Sequence, residues 1–220
     1  MTVQQMHNEF KVLLDKADGG GAPSFLPTEI DLFLNSAVEK FISKRAFGNN
    51  FRRTSFEEDQ KRRDDLRNLI QSSANSTISP GIKPNSYSIR LPGDYRHAIS
   101  EECILEGSNK RVSIKPLSYD RYNKIINDPF NSPSHGTVYR MDFKGNTFQL
   151  ISETRVITYF LLYISNPQKI SLTGSQDDVD YPSLANHTHK EIIRMAVLEA
   201  LENVEQPRYQ TSKIELNEIE

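Results

Sequence analysis

The hydrophobic rhythm of the chain changes twice, and this limits the fold more than any single motif does. Up to about Gln71 the apolar residues recur at helical spacings. From Ser72 "SSANSTISPGIKPNS" reads as a polar loop, the β region spans roughly Thr77 to Gly174 in short runs between turn signals, and after Asn186 the helical spacing returns. One period at both ends and another in the middle describes an α+β chain with its strands gathered in a single stretch.

From Thr2 to Asp15 the residues Val3, Met6, Phe10, Leu13 and Leu14 share one helical face, and "DGGGAPSF" ends that helix. Pro27 and Thr28 open a second helix, where Asp31 is placed to favour the free N–H groups of the first turn. Its stripe of Ile30, Phe33, Leu34, Ala37, Val38, Phe41 and Ile42 marks a core element. Ser55 and Glu58 have capping-box spacing ahead of a third helix that is predicted to reach about Gln71, with Leu66, Leu69 and Ile70 on its apolar face. The charged run "EEDQKRRDDLR" within it has two readings, a solvated face laced with i,i+4 pairs or a contact whose opposite charges fix register with a neighbouring subunit. Thr188 and Glu191 repeat the capping-box spacing before a last helix striped by Ile192, Ile193, Ala196, Val197, Ala200, Leu201 and Val204.

Between these helices "YSIRLP", "HAISEECILEG", "RVSIKPL", "GTVYRMDF", "TFQLISE", "RVITYFLLYI" and "QKISLTG" read as strands, and "KGN" at residues 144–146 reads as a hairpin turn. The expected architecture is a helical bundle from residues 1–73 and 183–206. An antiparallel β-rich domain carrying a short helix is inserted at 74–182, and 207–220 form a C-terminal tail.

Chemistry is hard to find in this sequence. Cys103 is the single cysteine, which rules out an internal disulfide and suits a reducing cytoplasm; it reads as a buried structural residue. His187 and His189 flank Thr188 with no ligand set around them, so polar capping is the reading and no metal or cofactor is expected. The triglycine at 19–21 lacks the context of a phosphate loop, adjacent carboxylates such as Glu101-Glu102 diverge in direction, and no catalytic residue is assigned. A net charge of -2 provides no basic field for nucleic acid. "VITYFLLYI" is too short to span a bilayer, and the opening residues lack a signal-peptide pattern, so neither membrane nor secretion is expected.

One stretch inside the β region stands apart. "LSYDRYNKIINDPFNSP" (Leu117 to Pro133) gives a short helix capped by Ser118, with Tyr119, Tyr122, Ile125 and Ile126 at helical spacing, and a rigid proline-bounded turn around Phe130. It is either a plug over the sheet or an aromatic knob for a partner. The tail has the same double reading: disordered, or docking on a partner through Tyr209, Ile214, Leu216 and Ile219.

The succession "PLSYDRYNKIINDPFNSP", "VYRMDF", "YISNPQKISL" and "HKEIIRMAVLEAL", preceded by "FLPTEIDLFLNSAVEKFI", resembles a group of structural proteins from crAss-like tailed phages. The positions that carry the likeness are Tyr119, Tyr122, Asn123, Ile126, Pro129, Phe130 and Pro133, then Tyr163, Ile164, Pro167, Ile170 and Leu172, then His189, Glu191, Ile192, Ala196 and Val197. The resemblance implies a non-enzymatic head-to-tail connector, similar to the adaptor or tail-tubular proteins of short-tailed phages. In that role about twelve copies form a closed ring that binds the portal protein and other tail ring proteins. The ring passes double-stranded DNA without sequence-specific binding. It implies a place at the virion's head-tail junction after assembly in the host bacterial cytoplasm. Tyr119, Tyr122, Ile126 and Phe130, with Tyr209, Ile214, Leu216 and Ile219, are the candidate interface residues; the alternatives are a ring farther from the portal, or an intracellular phage enzyme or regulatory factor with Cys103 or the His187/His189 pair at its site.

Overall fold

The computed structural model describes residues 1–18, 25–47, 56, 59–133, 136–172 and 180–203. In chain order its elements are α1 (Val3–Asp18), α2 (Pro27–Phe47), α3 (Gln60–Asp65), β1 (Ile70–Asn75), β2 (Ser79–Pro80), β3 (Ser86–Arg90), β4 (Tyr95–Leu105), β5 (Arg111–Pro116), α4 (Tyr122–Ile126), β6 (Val138–Phe143), β7 (Thr147–Ile151), β8 (Val156–Ser165) and α5 (His189–Asn203). The chain is mixed α+β and divides into two compact units, one from residues before Ile70 and after Asn166, the other from Ile70–Asn166.

In the first unit α1 begins at a reciprocal cap. The Gln5 amide donates to Thr2 Oγ1 at 3.2 Å, and the Thr2 amide donates to Gln5 Oε1 at 3.1 Å. α1 and α2 both pack on α5. Met6 and Phe10 of α1, Leu34, Val38 and Phe41 of α2, and Ile192, Ala196 and Ala200 of α5 are all buried there.

Asp31 does not serve the first turn of α2 as expected. It is buried, 2.7 Å from His7 Nε2, and accepts from the Leu172 amide at 3.2 Å. Asn35, one turn on, holds both backbone groups of Ile170: its Nδ2 donates to the carbonyl at 2.8 Å and its Oδ1 accepts from the amide at 2.9 Å. "QKISLTG" is therefore not a strand over residues 168–172. Its backbone at Ile170 and Leu172 finds partners in helix side chains rather than in a ladder, which satisfies the same groups.

The third helix also departs from expectation. The Ser55–Glu58 cap lies outside the described residues, and Asp59 caps α3 by accepting from the Lys61 and Arg62 amides. α3 ends at Asp65, a 3-10 turn spans Arg67–Leu69, and β1 begins at Ile70. Within the charged run Arg62 and Asp65 are buried, so it is not simply a solvated face.

Asp65 is buried because Arg45 is. The Arg45 Nε lies 2.8 Å from Asp65 Oδ2, and its Nη2 donates to Glu191 Oε1 and Oε2 at 2.9 and 2.8 Å. The guanidinium stacks 4.9 Å from the Phe41 ring centroid, and His187 Nε2 lies 2.8 Å from Asp65 Oδ1. One cation thus ties α2 to α3 and α5. Glu191 is committed to it and forms no capping box, while the Thr188 hydroxyl donates back to the Ala185 carbonyl at 2.8 Å.

In the second unit one curled sheet has the order β1-β8-β4-β5-β6-β7-β3-β2. β1 and β2 stand at opposite ends of that order, yet only Ser76, Thr77 and Ile78 separate them in sequence. The sheet must therefore curl until its edges meet, and Asn75 Nδ2 donates to the Arg90 carbonyl across the junction at 3.1 Å. In effect one strand closes the curl by pairing with β8 over Ile70–Asn75 and with β3 over Ser79–Pro80. Alternate residues turn inward: Ile89, Cys103, Leu105, Ile114, Val138, Phe148, Leu150, Tyr159, Leu161 and Tyr163 form the interior. The turn at 144–146 joins β6 to β7 as expected, with Gly145 at φ +73°, where a side chain is disfavoured. All pairings are antiparallel except β5 with β6, which is parallel.

Breaking the buried ion pairs tests the first unit. Arg45→Ala leaves Asp65 and Glu191 without their cation and is expected to cost about 3–5 kcal/mol. The measurement is urea unfolding followed by helical circular dichroism; a loss below 1 kcal/mol contradicts the assigned role.

Candidate subunit-contact surface

The parallel pair explains the odd stretch of sequence. β5 and β6 align Ile114 with Val138 and Pro116 with Arg140. Parallel neighbours need a long crossover rather than a tight turn, and "LSYDRYNKIINDPFNSP" is its body. Within it Tyr122 is buried with Leu117, Tyr139, Met141 and Ile151, and Ile125 and Ile126 pack on this cluster half-buried. Tyr139 and Met141 are out of phase with the inward-facing Val138, so α4 covers the outer face of β6 and β7. The plug reading thus holds for Tyr122 and Ile126. The cap expected from Ser118 is not made; its hydroxyl bonds the Asp120 carboxylate instead and holds that group below the ordinary carboxylate range.

The rest of the crossover does the opposite of plugging. Tyr119 is 57% exposed and Phe130 is 94% exposed. The Phe130 turn is nevertheless tightly bonded. Asp128 Oδ1 accepts from the Phe130 amide at 2.9 Å, Asp128 Oδ2 from Asn131 Nδ2 at 2.7 Å, and the Asp128 carbonyl from the Ser132 amide at 2.9 Å. Tyr139 Oη donates to the Asn131 carbonyl at 2.7 Å, and the Glu153 amide donates to the Pro133 carbonyl at 3.2 Å. The Asn131 and Phe130 bonds hold Asp128 below the ordinary carboxylate range. The backbone that carries Phe130 is thereby held by several hydrogen bonds, so that less backbone freedom remains to be lost if a partner covers the ring.

Of the other candidates, Tyr209, Ile214, Leu216 and Ile219 lie outside the described residues. Cys103 is fully buried in the β interior, and burial pushes its thiol up to about 11. His187 pairs with Asp65, and His189 is buried, 3.1 Å from the Leu184 carbonyl and 3.1 Å from the Met1 amine, so neither acts as the expected polar cap. Among the described residues no group of three or more His, Cys, Asp or Glu side chains is placed to hold a metal ion, and no helix is long and apolar enough to cross a membrane.

Sequence reasoning missed the charged core of the β unit. Glu101 Oε2 accepts from Arg140 Nη1 at 2.8 Å, Tyr159 Oη donates to Glu101 Oε1 at 2.5 Å, and the Arg140 guanidinium lies 4.4 Å from the Phe148 centroid. Burial, then the Glu101 charge, raises the Tyr159 phenol. The signal was present: Glu101 is in phase with Cys103 and Leu105, and Arg140 with Val138. A charge on an inward phase needs a partner of opposite sign.

Two measurements probe these buried groups. Cys103 is expected to resist a thiol reagent at pH 8 and to react only when denaturant opens the β unit; fast labelling of the native chain contradicts its placement. Burial, then the N-terminal ammonium, lowers the His189 pKa from 6.5. The folded state therefore prefers the neutral ring, so the stability it contributes is complete above pH 6.5 and is lost as pH falls through the depressed value. Melting of the helical signal should drop between pH 7.5 and pH 5, and His189→Gln should flatten that slope.

Residues 1–211 match the family model described as phage tail ring protein 3/4. The chain is also 28% identical over 214 residues to "Ring protein 3" of Bacteroides phage crAss001, covering 90% of this chain and 92% of the relative. The match extends over helices, strands and crossover alike, and the chain belongs to the phage tail ring protein 3/4 family, a family of structural ring proteins rather than enzymes.

Proposed function

We propose that this chain is the repeating subunit of a closed ring at the head-to-tail junction, joined to the portal protein and to further tail rings and surrounding the path of double-stranded DNA. The observation that carries this reading is Phe130, 94% exposed on a turn fixed through Asp128. An exposed aromatic side chain on a hydrogen-bonded turn suits an interface anchor. About twelve copies complete the ring, by analogy with portal-associated adaptors. The near-neutral charge of -2 suits a conduit through which DNA slides during genome ejection, because a basic lining would retain it. Residues 1–73 and 183–206 are read as a helical bundle, which the packing of α1 and α2 on α5 supports, with 74–182 as an inserted domain and 207–220 as a docking tail. A position farther along the tail is the second reading, and the family's description as a tail ring favours it.

Native mass spectrometry of the purified protein, with and without its portal, tests the proposal. A discrete high oligomer or a stoichiometric portal complex is expected. A ring that ignores the portal selects the second reading, and a monomer that persists at high concentration without binding the portal overturns both. Tyr119→Ala and Phe130→Ala should shift the population toward monomer with unchanged melting, since both side chains stand in water. Truncation before Pro207 should weaken docking, and unchanged docking removes the tail from the interface.

A further inference from the structure

The curl of the β unit leaves one strand edge without a backbone partner among the described residues. β1 pairs with β8 and stands at one end of the strand order. Its other side faces β3, to which β2 is paired through Ser79 with Ser88 and Pro80 with Tyr87. Carried back along the chain, that register sets Asn75 against Pro92, which has no amide proton to give, and β3 has already ended at Arg90. The Asn75 side chain spans the gap instead. Its Nδ2 donates to the Arg90 carbonyl at 3.1 Å, and its Oδ1 accepts from the Thr77 amide at 2.8 Å.

An open edge pairs with extended chain that reaches it, so natural sheets guard their edges with lysine, proline, bulges or short strands. β2 is guarded by its two-residue length and by Pro80. β1 is not: "IQSSAN" is six residues long without a charge, a proline or a glycine, and Gln71, Ser72 and Ala74 are exposed. Its two faces differ. Ile70, Ser72 and Ala74 stand opposite Ile164, Leu162 and Phe160, and Leu162 is exposed. Gln71, Ser73 and Asn75 share the phase of Tyr163, Leu161 and Tyr159, and a polar hollow lies beside Ser73 and Asn75, lined also by Thr77, Ser79 and Ser88. Among the described residues in its wall, Arg90 is the one that carries a charge.

We infer that this edge seats the C-terminal tail of a neighbouring copy, which adds to β1 as a strand over residues 213–217. The inference rests on the ring reading above. "KIELN" has the two faces that the edge requires: Ile214 and Leu216 extend the row of Phe160 and Leu162, while Lys213, Glu215 and Asn217 turn to the polar hollow. Glu215, at the centre of that strand, meets Arg90, and Glu218 and Glu220 keep the end of the tail acidic. A ring closes through a heterologous contact between two different patches of one subunit, and the tail and the β1 edge are two such patches. Residues 204–212 extend up to about 30 Å between α5 and this strand, so the strand is not confined to the copy that carries it.

The test follows amide hydrogen exchange of Ile70–Asn75 in the full chain, below and above the concentration at which it assembles. The β1 amides that β8 does not hold are expected to slow at least about 10-fold on assembly. Truncation before Pro207, or Leu216→Pro, which removes a donor from the added strand, should abolish that slowing with unchanged melting. Arg90→Glu and Glu215→Lys should each weaken self-association about 10-fold, and a chain carrying both should recover it; a double variant that stays weak overturns the seat. Rings whose β1 amides exchange as fast as in the monomer overturn the seat and leave the ring reading intact. Slowing that is independent of concentration puts the tail on its own copy, and slowing that survives truncation belongs to another occupant, such as β1 of a second copy; either result overturns the inference. A wild-type chain that forms no ring overturns both readings.

Discussion

Parallel strands cannot be joined by a tight turn, and the pairing of β5 with β6 is parallel in an otherwise antiparallel sheet. That one pairing obliges the chain to leave the sheet after Pro116 and return at Val138. The excursion has to be covered, because a bare crossover would leave apolar strand surface and backbone groups in water. Tyr122, Ile125 and Ile126 cover it by packing on Tyr139, Met141 and Ile151. Having anchored the helix, the chain still has to turn back, and the Asp128 turn that does so leaves Phe130 outside. The exposed aromatic is therefore a by-product of topology: a piece of connection held by hydrogen bonds for its own reasons leaves the Phe130 side chain in water.

The helical unit follows a different logic, in which a few polar side chains specify what an apolar stripe leaves open. The stripes of α2 and α5 would tolerate several relative positions, since apolar packing is non-directional. Arg45 bonded to Glu191 and Asp65 allows far fewer, because its planar donor fork has fixed geometry. Asn35 does the same for an irregular segment, acting toward Ile170 as a strand neighbour would.

Where side-chain rhythm determines structure, the sequence was easy to read. The stripes of α1, α2 and α5 and the alternation of β4, β6, β7 and β8 are there in the apolar spacing, and the turn at Gly145 in its glycine. β1 was not legible. "IQSSAN" has weak strand propensity and no clear alternation, and it becomes a strand because β8 offers it a complete ladder from Ile164 to Tyr159. "QKISLTG" is the converse case, a sequence with strand character whose partners are two helix side chains. In the contact surface Phe130 and Tyr122 were both recognisable, but their opposite fates were not: helical spacing shows which residues share a face and not whether that face meets a sheet.

The strand that closes the β unit also has a mechanical meaning. Around the rest of the curl, strands are joined to both neighbours, and a pull at right angles to them is shared among many hydrogen bonds loaded together. At Ser76–Ile78 the closing strand has released β8 and not yet engaged β3, so the circumference is continuous only through covalent chain and the Asn75–Arg90 bond. The unit is stiff along its strands and compliant across this one line. Within one copy, a pull across the strands is therefore expected to open first along this line, while the core of the unit keeps its packing.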